Sequence, residues 1–463
     1  MRFTSRAVSA ACVAMLCALS PLASHAQSPA ATPAARPATE PALTLAEAYR
    51  LAFVEDATIR AARAQADARR ERLPQARAAL LPNISASYGR NHNHLESTSP
   101  GITGPVVDET RYGSSSKVLT LRQPIFRPYQ IADLAQARAV VADANAQLDK
   151  ETQNLAVRVT SAYLDCLLAQ DQLALILAQK STYTTQLDAA KKRFSAGAGV
   201  RTDIDDAQAK LDFTIATELQ LRQNVDYTRR VLQVLINRPV TALAPVDPAR
   251  LKLGPPVPAQ LDEWQQRAEL TSPELRSMSA QRDASRREID KARAGHLPTL
   301  DFVAQRSISN SENVTRINSN YDNTSFGIQL NIPIFAGGGV TSQTRQAVAD
   351  TERAEQALEA TRRDLALRIE QEFRGVTEGV AKVAALEKAV QSAEVMVRST
   401  RRSYEGGVRT VVDILAAEEQ RVTALRDLAQ ARYLYLLSRV RLQALTGVAD
   451  ETAIAEINST LAP

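Results

Sequence analysis

Charged side chains flank two glycine-containing turns and could take part in ion pairing or ion binding there. The second turn, YEGGVRTVVDIL, sets Tyr404, Arg409 and Asp413 around its glycines, and the first, FSAGAGVRTDID, sets Asp203 where the next helix begins. An Arg and an Asp four residues apart can simply pair on a helix surface, and an acid at a helix start complements the dipole. From the residues alone, we therefore favour simple pairing of Arg409 with Asp413 on the helix surface.

Other kinds of site find little support. The sequence has no glycine-rich phosphate loop, no nucleophile elbow and no convincing acid–base pair, so we predict neither an enzyme nor a cofactor. His92 and His94 lie in a polar segment without a third ligand nearby, which does not favour a metal site. The formal net charge is +5 and there is no basic tract, which argues against a nucleic-acid partner.

The first residues are typical of a secretory signal peptide. Arg2 and Arg6 precede an apolar run, and a small-x-small site ends at Ala26, so we predict cleavage there and a flexible leader over residues 27–42. Cleavage would leave Cys166 as the only cysteine. Its seven-residue spacing from Val159 and Leu173 predicts a buried position in a helix seam.

The rest of the chain repeats itself. The pair Leu81-Pro82 matches Leu297-Pro298 at an offset of 216, LTLRQPIF matches IQLNIPIF at 209, and the Gly-Val-Arg-Thr of the two turns matches at 208. We therefore predict one structural repeat over residues 43–237 and another over 259–447. A proline-rich linker, 238–258, joins them, and a tail, 448–463, follows.

Long helices and short strands alternate in each repeat. Apolar residues recur every seven positions, which predicts helices that pack lengthwise: Leu134, Val141, Leu148, Leu155, Ala162, Ala169 and Ile176; Ile369, Val376, Val383, Val390 and Val397; Leu415, Val422, Ala429 and Leu436. A helix of roughly 65 residues would span about 100 Å. Period-two alternation predicts strands at about 83–94, 116–126, 299–309 and 325–335, with polar loops at 91–116 and 309–325. The helices reverse at turns over 196–202 and 405–410.

The number of strands indicates an assembly. Four strands cannot close a barrel, and an open edge would leave backbone groups unsatisfied in lipid. Three copies would supply twelve strands, and strands of about 10 residues suit a tilted crossing of a bilayer.

These features resemble the TolC family of outer-membrane efflux proteins. The resemblance rests on the signal peptide, the two hairpins that end in Pro-Ile-Phe and the two Gly-Val-Arg-Thr turns, and it covers essentially the whole mature chain. It implies a mainly α-helical chain with a membrane β-barrel: a homotrimer with a 12-stranded barrel in outer-membrane lipid and a long helical tunnel across the periplasm. The partners it implies are a periplasmic adaptor and an inner-membrane transporter, either an ABC exporter or a proton-driven pump.

The resemblance also implies roles for residues at the turns. Tyr404, Arg409 and Asp203 match positions that link neighbouring coils and hold the tunnel entrance closed, and Asp413 matches a position that lines the constriction. The sequence departs from the pattern at Ala416, where many members carry a second pore aspartate. Adaptor docking would fall on the turn glycines, which are Gly197, Gly199, Gly406 and Gly407.

Two functions remain for comparison. One is an exit duct in the outer membrane, and the other is a periplasmic coiled-coil structural or adaptor protein that conducts nothing. Seven-residue repeats fit both. The two amphipathic hairpins at matching places favour the duct, because an adaptor would normally carry one coiled-coil hairpin between β-domains and a membrane anchor.

Overall fold

The computed structural model describes residues 42–311 and 318–462. The predicted signal peptide and residues 27–41 of the predicted leader lie outside the described residues. Within the described ranges, no helix is both long enough and apolar enough to cross a membrane.

The same order of elements occurs in both halves of the chain. The first half has α1 (Leu45–Glu55), α2 (Ala57–Arg70), α3 (Arg72–Ala78), β1 (Asn83–Gly101), β2 (Gly104–Phe126), α4 (Pro128–Ser195) and α5 (Arg201–Ile236). The second has α6 (Leu261–Thr271), α7 (Pro273–Arg293), a 3-10 turn (Ala294–His296), β3 (Thr299–Asn310), β4 (Asn320–Asn331), α8 (Gly339–Glu405), α9 (Val411–Leu445) and α10 (Glu451–Asn458). Residues 238–258 contain no helix or strand.

Two long helical hairpins organise the chain. Helix α4 has 68 residues and α8 has 67, so each is about 100 Å long at 1.5 Å per residue. Helix α5 returns along α4 and α9 along α8, and α4 also packs against α7 and α9. Proline at the first position of α4 suits a helix start, since its missing N–H would have no helical partner there.

The seven-residue spacing identifies a buried seam along α8 and in the middle of α4, where Leu155, Ala162 and Ala169 are buried. Ala429 of α9 is only half-buried, and so are the other predicted seam residues of α4, which are Leu134, Val141, Leu148 and Ile176. Every predicted seam residue of α8, from Ile369 to Val397, is buried, and so is Cys166 in α4. The Tyr163 hydroxyl donates to both the Leu43 and the Ala244 carbonyl oxygens, at 2.9 and 2.8 Å, which connects the core to the segment after α5. Burial raises the pKa of the Tyr163 hydroxyl, so it stays protonated and able to donate.

The predicted tail, residues 448–463, contains a helix that packs into the core. Helix α10 lies within the predicted tail, its Asp450 side chain caps its first turn, and its Ile454 and Ile457 are buried in the main cluster. The Asn458 side chain accepts from the Ala46 N–H at 3.1 Å. The apolar spacing of Ile454 and Ile457 on one helix face explains this docking.

The four strands form one antiparallel sheet in the order β1-β2-β3-β4. Directly paired residues share a face, so the register separates an apolar face from a polar one. The apolar band consists of Ile84, Ala86, Tyr88, Leu119, Leu121, Leu300, Phe302, Ala304, Phe326, Ile328 and Leu330. The opposite face carries mainly Ser, Thr, Asn and Gln, with the apolar residues Val118 and Val303 among them. It also carries Asp301, which accepts from Arg122 and Arg127.

Two strand predictions were wrong in their bounds. The predicted loop at 91–116 is mostly strand, since β1 and β2 pair continuously from Asn83↔Arg122 to Gly101↔Gly104. Both faces of that distal part are polar, which removes the alternation that marks a strand. Strand β4 runs over Asn320–Asn331 and not 325–335, because β3 offers no partner before Thr299 and Pro333 has no N–H to donate.

Candidate functional site at the two helix turns

The two turns are equivalent at an offset of 210 residues. Helices α4 and α8 end at Ser195 and Glu405, and α5 and α9 begin at Arg201 and Val411. The offset of 208 taken from Gly-Val-Arg-Thr was therefore wrong by two residues: the motif recurs in the sequence but lies at different places in the two turns. Helix ends and caps set the backbone geometry, and a four-residue match does not.

Three of the four turn glycines occupy positions that disfavour a Cβ, for two different reasons. Gly197 and Gly407 have φ values of 75° and 76°, a region that residues with a Cβ avoid. At Gly199 a Cβ would lie 3.0 Å from the Phe194 backbone nitrogen, so space is the constraint. Gly406 has an ordinary φ of −80° and only normal contacts around it.

Asp413 forms a capping box at the start of α9. Its Oδ2 accepts from the Thr410 N–H and from the Thr410 hydroxyl, each at 2.9 Å, while the Asp413 N–H donates to Thr410 Oγ1 at 3.3 Å. Arg409 Nη1 lies 3.3 Å from Asp413 Oδ1. The Thr410 hydrogen bonds, with a smaller contribution from Arg409, hold the pKa of Asp413 below its ordinary value.

Asp203 occupies the equivalent position in α5 but is held differently. It is the third residue of its helix, as Asp413 is of α9, and is partly buried. The residue before the helix is Val200, which has no side-chain oxygen to cap it. Within the described chain, no hydrogen bond or ion pair joins Asp203 to Tyr404 or Arg409, so one chain does not bring the four predicted gate residues together.

Tyr404 instead contacts the first hairpin through Arg193 of α4. The Arg193 guanidinium lies 4.5 Å from the centre of the Tyr404 ring, an attractive cation–π geometry. The ring also packs on a small apolar cluster from α4, α5 and α9 that includes Tyr183, Leu211 and Leu415. Residues near the ends of both hairpins thus share one contact region around the Tyr404 ring.

Three ion pairs near the second turn, formed by the adjacent acids Glu418 and Glu419, were not predicted from the sequence. Lys210 Nζ of α5 lies 2.6 Å from Glu419 Oε2 of α9, which joins the two hairpins. Glu418, with only 3% of its side chain exposed, accepts from Arg401 at 2.5 Å and from Arg421 at 3.0 Å. The sequence does contain a sign that Glu418 is buried. It lies seven residues after Val411 and seven before Leu425, at a position of the heptad pattern that is normally apolar.

Comparison with known proteins agrees with this architecture. The model of the family described as outer membrane efflux protein matches residues 48–238 and 264–448. The chain belongs to the outer membrane efflux protein family. It is 33% identical to the alkaline protease secretion protein AprF of Pseudomonas aeruginosa, with 88% of this chain and 85% of AprF covered. It is 28% identical to the outer membrane protein TolC of Escherichia coli, with 90% and 85% covered.

Solved structures show the same fold. The outer membrane protein VceC of Vibrio cholerae superposes with a TM-score of 0.75 at 17% identity, covering 88% of this chain and 97% of VceC. The CmeC channel of Campylobacter jejuni gives 0.75 at 14% identity, covering 90% and 89%. This family member is thus an outer-membrane exit duct of an efflux or type I secretion system, with a tunnel that extends into the periplasm.

Proposed function

We propose that three copies of this chain form one conduit, with a twelve-stranded barrel in the outer membrane and a helical tunnel below it. The observation that carries the proposal is the sheet, which has one apolar face, one polar face and two free edges. In the described chain no strand lies beside the outer edge of β1 or of β4. An unpaired edge is costly in lipid, and pairing β4 of one copy with β1 of the next would close it.

A row of exposed apolar residues on α5 supports the same assembly. Phe213, Tyr227 and Val234 are exposed in the single chain and lie at multiples of seven residues, so they share one face of the helix. A second copy would cover this face, since the first hairpin of one copy would lie beside the second hairpin of its neighbour around a ring.

The helix turns would form the periplasmic entrance of this conduit. Three copies would bring together six turns, and Asp413, Asp203, Tyr404 and Arg409 would then face neighbouring copies across a constriction. Within one chain the Thr410 hydrogen bonds hold the pKa of Asp413 below its ordinary value, so each copy would bring an ionised carboxylate to the constriction at neutral pH, as a ring that attracts cations requires. Gly197, Gly199, Gly406 and Gly407 would present the narrow ends that a periplasmic adaptor contacts. No catalytic group is needed for such a role.

The substrate of this conduit is proposed to be a polypeptide. The support is the similarity to AprF and to the proteases secretion protein PrtF of Dickeya chrysanthemi, which is 31% identical with 89% of this chain covered. An inner-membrane ABC exporter and its adaptor would then supply the polypeptide.

Replacement of AprF tests this proposal. We expect this chain, produced in Pseudomonas aeruginosa cells that lack AprF, to restore extracellular alkaline protease activity. The control is a variant with Gly197→Val and Gly407→Val, which should reach the outer membrane yet restore less secretion, because both positions need positive φ. Outer-membrane trimers that restore drug efflux but no protease secretion would contradict the polypeptide assignment.

A further inference from the structure

The distal limit of the apolar band carries basic residues. On the apolar face, the residues that end the band away from the helices are Tyr88, Leu119, Ala304 and Phe326. The next residue outward on the same face is Arg90 in β1, Lys117 in β2, Arg306 in β3 and Thr324 in β4. The first polar position is therefore basic in three of the four strands.

The opposite limit of the band differs. Towards the helices, the band ends at Ile84, Leu121, Leu300 and Leu330, and the charged residues nearby, Arg122, Arg127 and Asp301, are engaged with one another on the polar side. Basic character on the apolar side is thus confined to the distal limit.

Arg90 and Lys117 are close together and have no acidic partner. Lys117 lies directly opposite Tyr88, and Arg90 lies opposite Ser115, so the two cations are diagonal neighbours, about 7–8 Å apart between Cα atoms. Both are exposed, and in the described chain no carboxylate pairs with either. Arg306 differs, because its Nε and Nη2 donate to the two carboxylate oxygens of Asp322, at 3.2 and 2.9 Å.

The residues around this pair leave room for an anion. On the same face the neighbours of Arg90 and Lys117 are Tyr88, His92, Ser115, Leu119 and Ile308, none of which is acidic. Two long cationic side chains above a small serine can converge on one group from two sides, and an arginine can donate two parallel hydrogen bonds to a phosphate.

We propose that Arg90 and Lys117 form a binding site for the phosphate of a lipid headgroup in the outer leaflet. This inference rests on the proposed function, which turns the apolar face to lipid and points the distal end of the sheet outward. At that level a lipid-facing residue meets the headgroups, and basic residues at such a boundary bind anionic headgroups. Tyr88, just inside, suits the same interface, where aromatic residues concentrate.

The test measures lipid binding by purified full-length trimers in dodecylmaltoside, titrated with bis-phosphorylated lipid A and followed by native mass spectrometry. We expect the variant Arg90→Gln/Lys117→Gln to bind roughly 25-fold more weakly than wild type, since each basic residue near an anionic lipid surface contributes roughly a factor of five. Arg306→Gln is the matched control and should bind as wild type does, because Asp322 already neutralises Arg306.

Two further probes identify the source of the phosphate. Dephosphorylated lipid A should bind wild type as weakly as lipid A binds the double variant, and millimolar inorganic phosphate should not compete. Three results would each overturn the site. Wild type could bind lipid A and dephosphorylated lipid A equally well, the double variant could bind lipid A as well as wild type does, or inorganic phosphate could compete with lipid A. Single-channel conductance of the same samples tests the conduit separately from the lipid site. The double variant should still conduct, whereas failure of the proposed function would abolish conductance in wild type as well.

Discussion

The turn between α8 and α9 carries a capping box and a buried ion-pair cluster, whereas the equivalent turn between α4 and α5 has neither among its described residues. At an offset of 210, Thr410 corresponds to Val200, Glu418 to Gln208 and Arg421 to Leu211. Close to its turn, the second hairpin is therefore joined by the Arg401–Glu418 pair, whereas the buried carboxylate of the first hairpin, Glu218, lies farther from its turn and pairs with Lys180 and Arg222. The two hairpins are joined to each other through Arg193 on Tyr404 and Lys210 on Glu419.

This difference has a consequence for motion. If the two hairpins separate, the contacts between α8 and α9 remain. The contacts that join the two hairpins, Arg193 with Tyr404 and Lys210 with Glu419, are lost at the same time. We expect the α4–α5 turn to open more readily than the α8–α9 turn, so that its amide hydrogens exchange faster.

The largest effect is expected at Glu418. Glu418→Ala removes a buried carboxylate between two arginines and should lower the free energy of local opening at the start of α9 by about 2 kcal/mol, less than for a fully buried pair because Arg401 can return to water. Hydrogen exchange of the α9 amides measures this. Gln208→Ala, at the equivalent place in α5, should cost less than about 0.5 kcal/mol; equal losses would remove the asymmetry.

A smaller effect is expected at the cap. Thr410→Ala removes the hydroxyl that accepts from the Asp413 N–H and should destabilise the first turn of α9 by about 1 kcal/mol. The reverse change in the other turn, Val200→Thr, supplies the missing hydroxyl and should increase protection of the first α5 amides. If protection of the first α5 amides does not increase, the backbone at position 200 does not place a threonine hydroxyl where it can accept from the N–H groups of the first turn, as Thr410 does in α9.

The smallest effect is a pH dependence confined to the second turn. Because the folded pKa of Asp413 lies below its ordinary value, its stabilisation is fully present above that ordinary value, near pH 4, and is lost as pH falls through the folded pKa. Protection of the first α9 amides, corrected for intrinsic exchange, should therefore fall on acidification below about pH 4. Asp413→Asn should remove this dependence; persistence of the same fall would assign it to another group.

Much of the fold was predictable because burial imposes periodicity. The seven-residue seams from Ile369 to Val397 are buried, as expected, and the alternation in Leu119–Leu121 and Ile328–Leu330 identified the apolar band. The outer part of β1 and β2 was missed for the same reason: it lies beyond the band, both of its faces are polar, and no period remains in the sequence.

The site was less predictable because it depends on contacts between distant segments. The pairing of Arg409 with Asp413 is local and followed from the four-residue spacing. The stacking of Arg193 on Tyr404 and the pairing of Lys210 with Glu419 join residues about 210 positions apart, and no spacing rule connects them. The recurrence of Gly-Val-Arg-Thr even misaligned the turns by two residues.

The most direct test of the conduit is single-channel conductance of the purified protein in a planar bilayer, with divalent cations titrated on the side of the helix turns. We predict steady conductance that cations block, and weaker block in Asp413→Asn, because three fewer negative charges would then surround the constriction. Absence of conductance from folded trimers, both in wild type and in Tyr404→Phe/Arg409→Ser, would contradict the account.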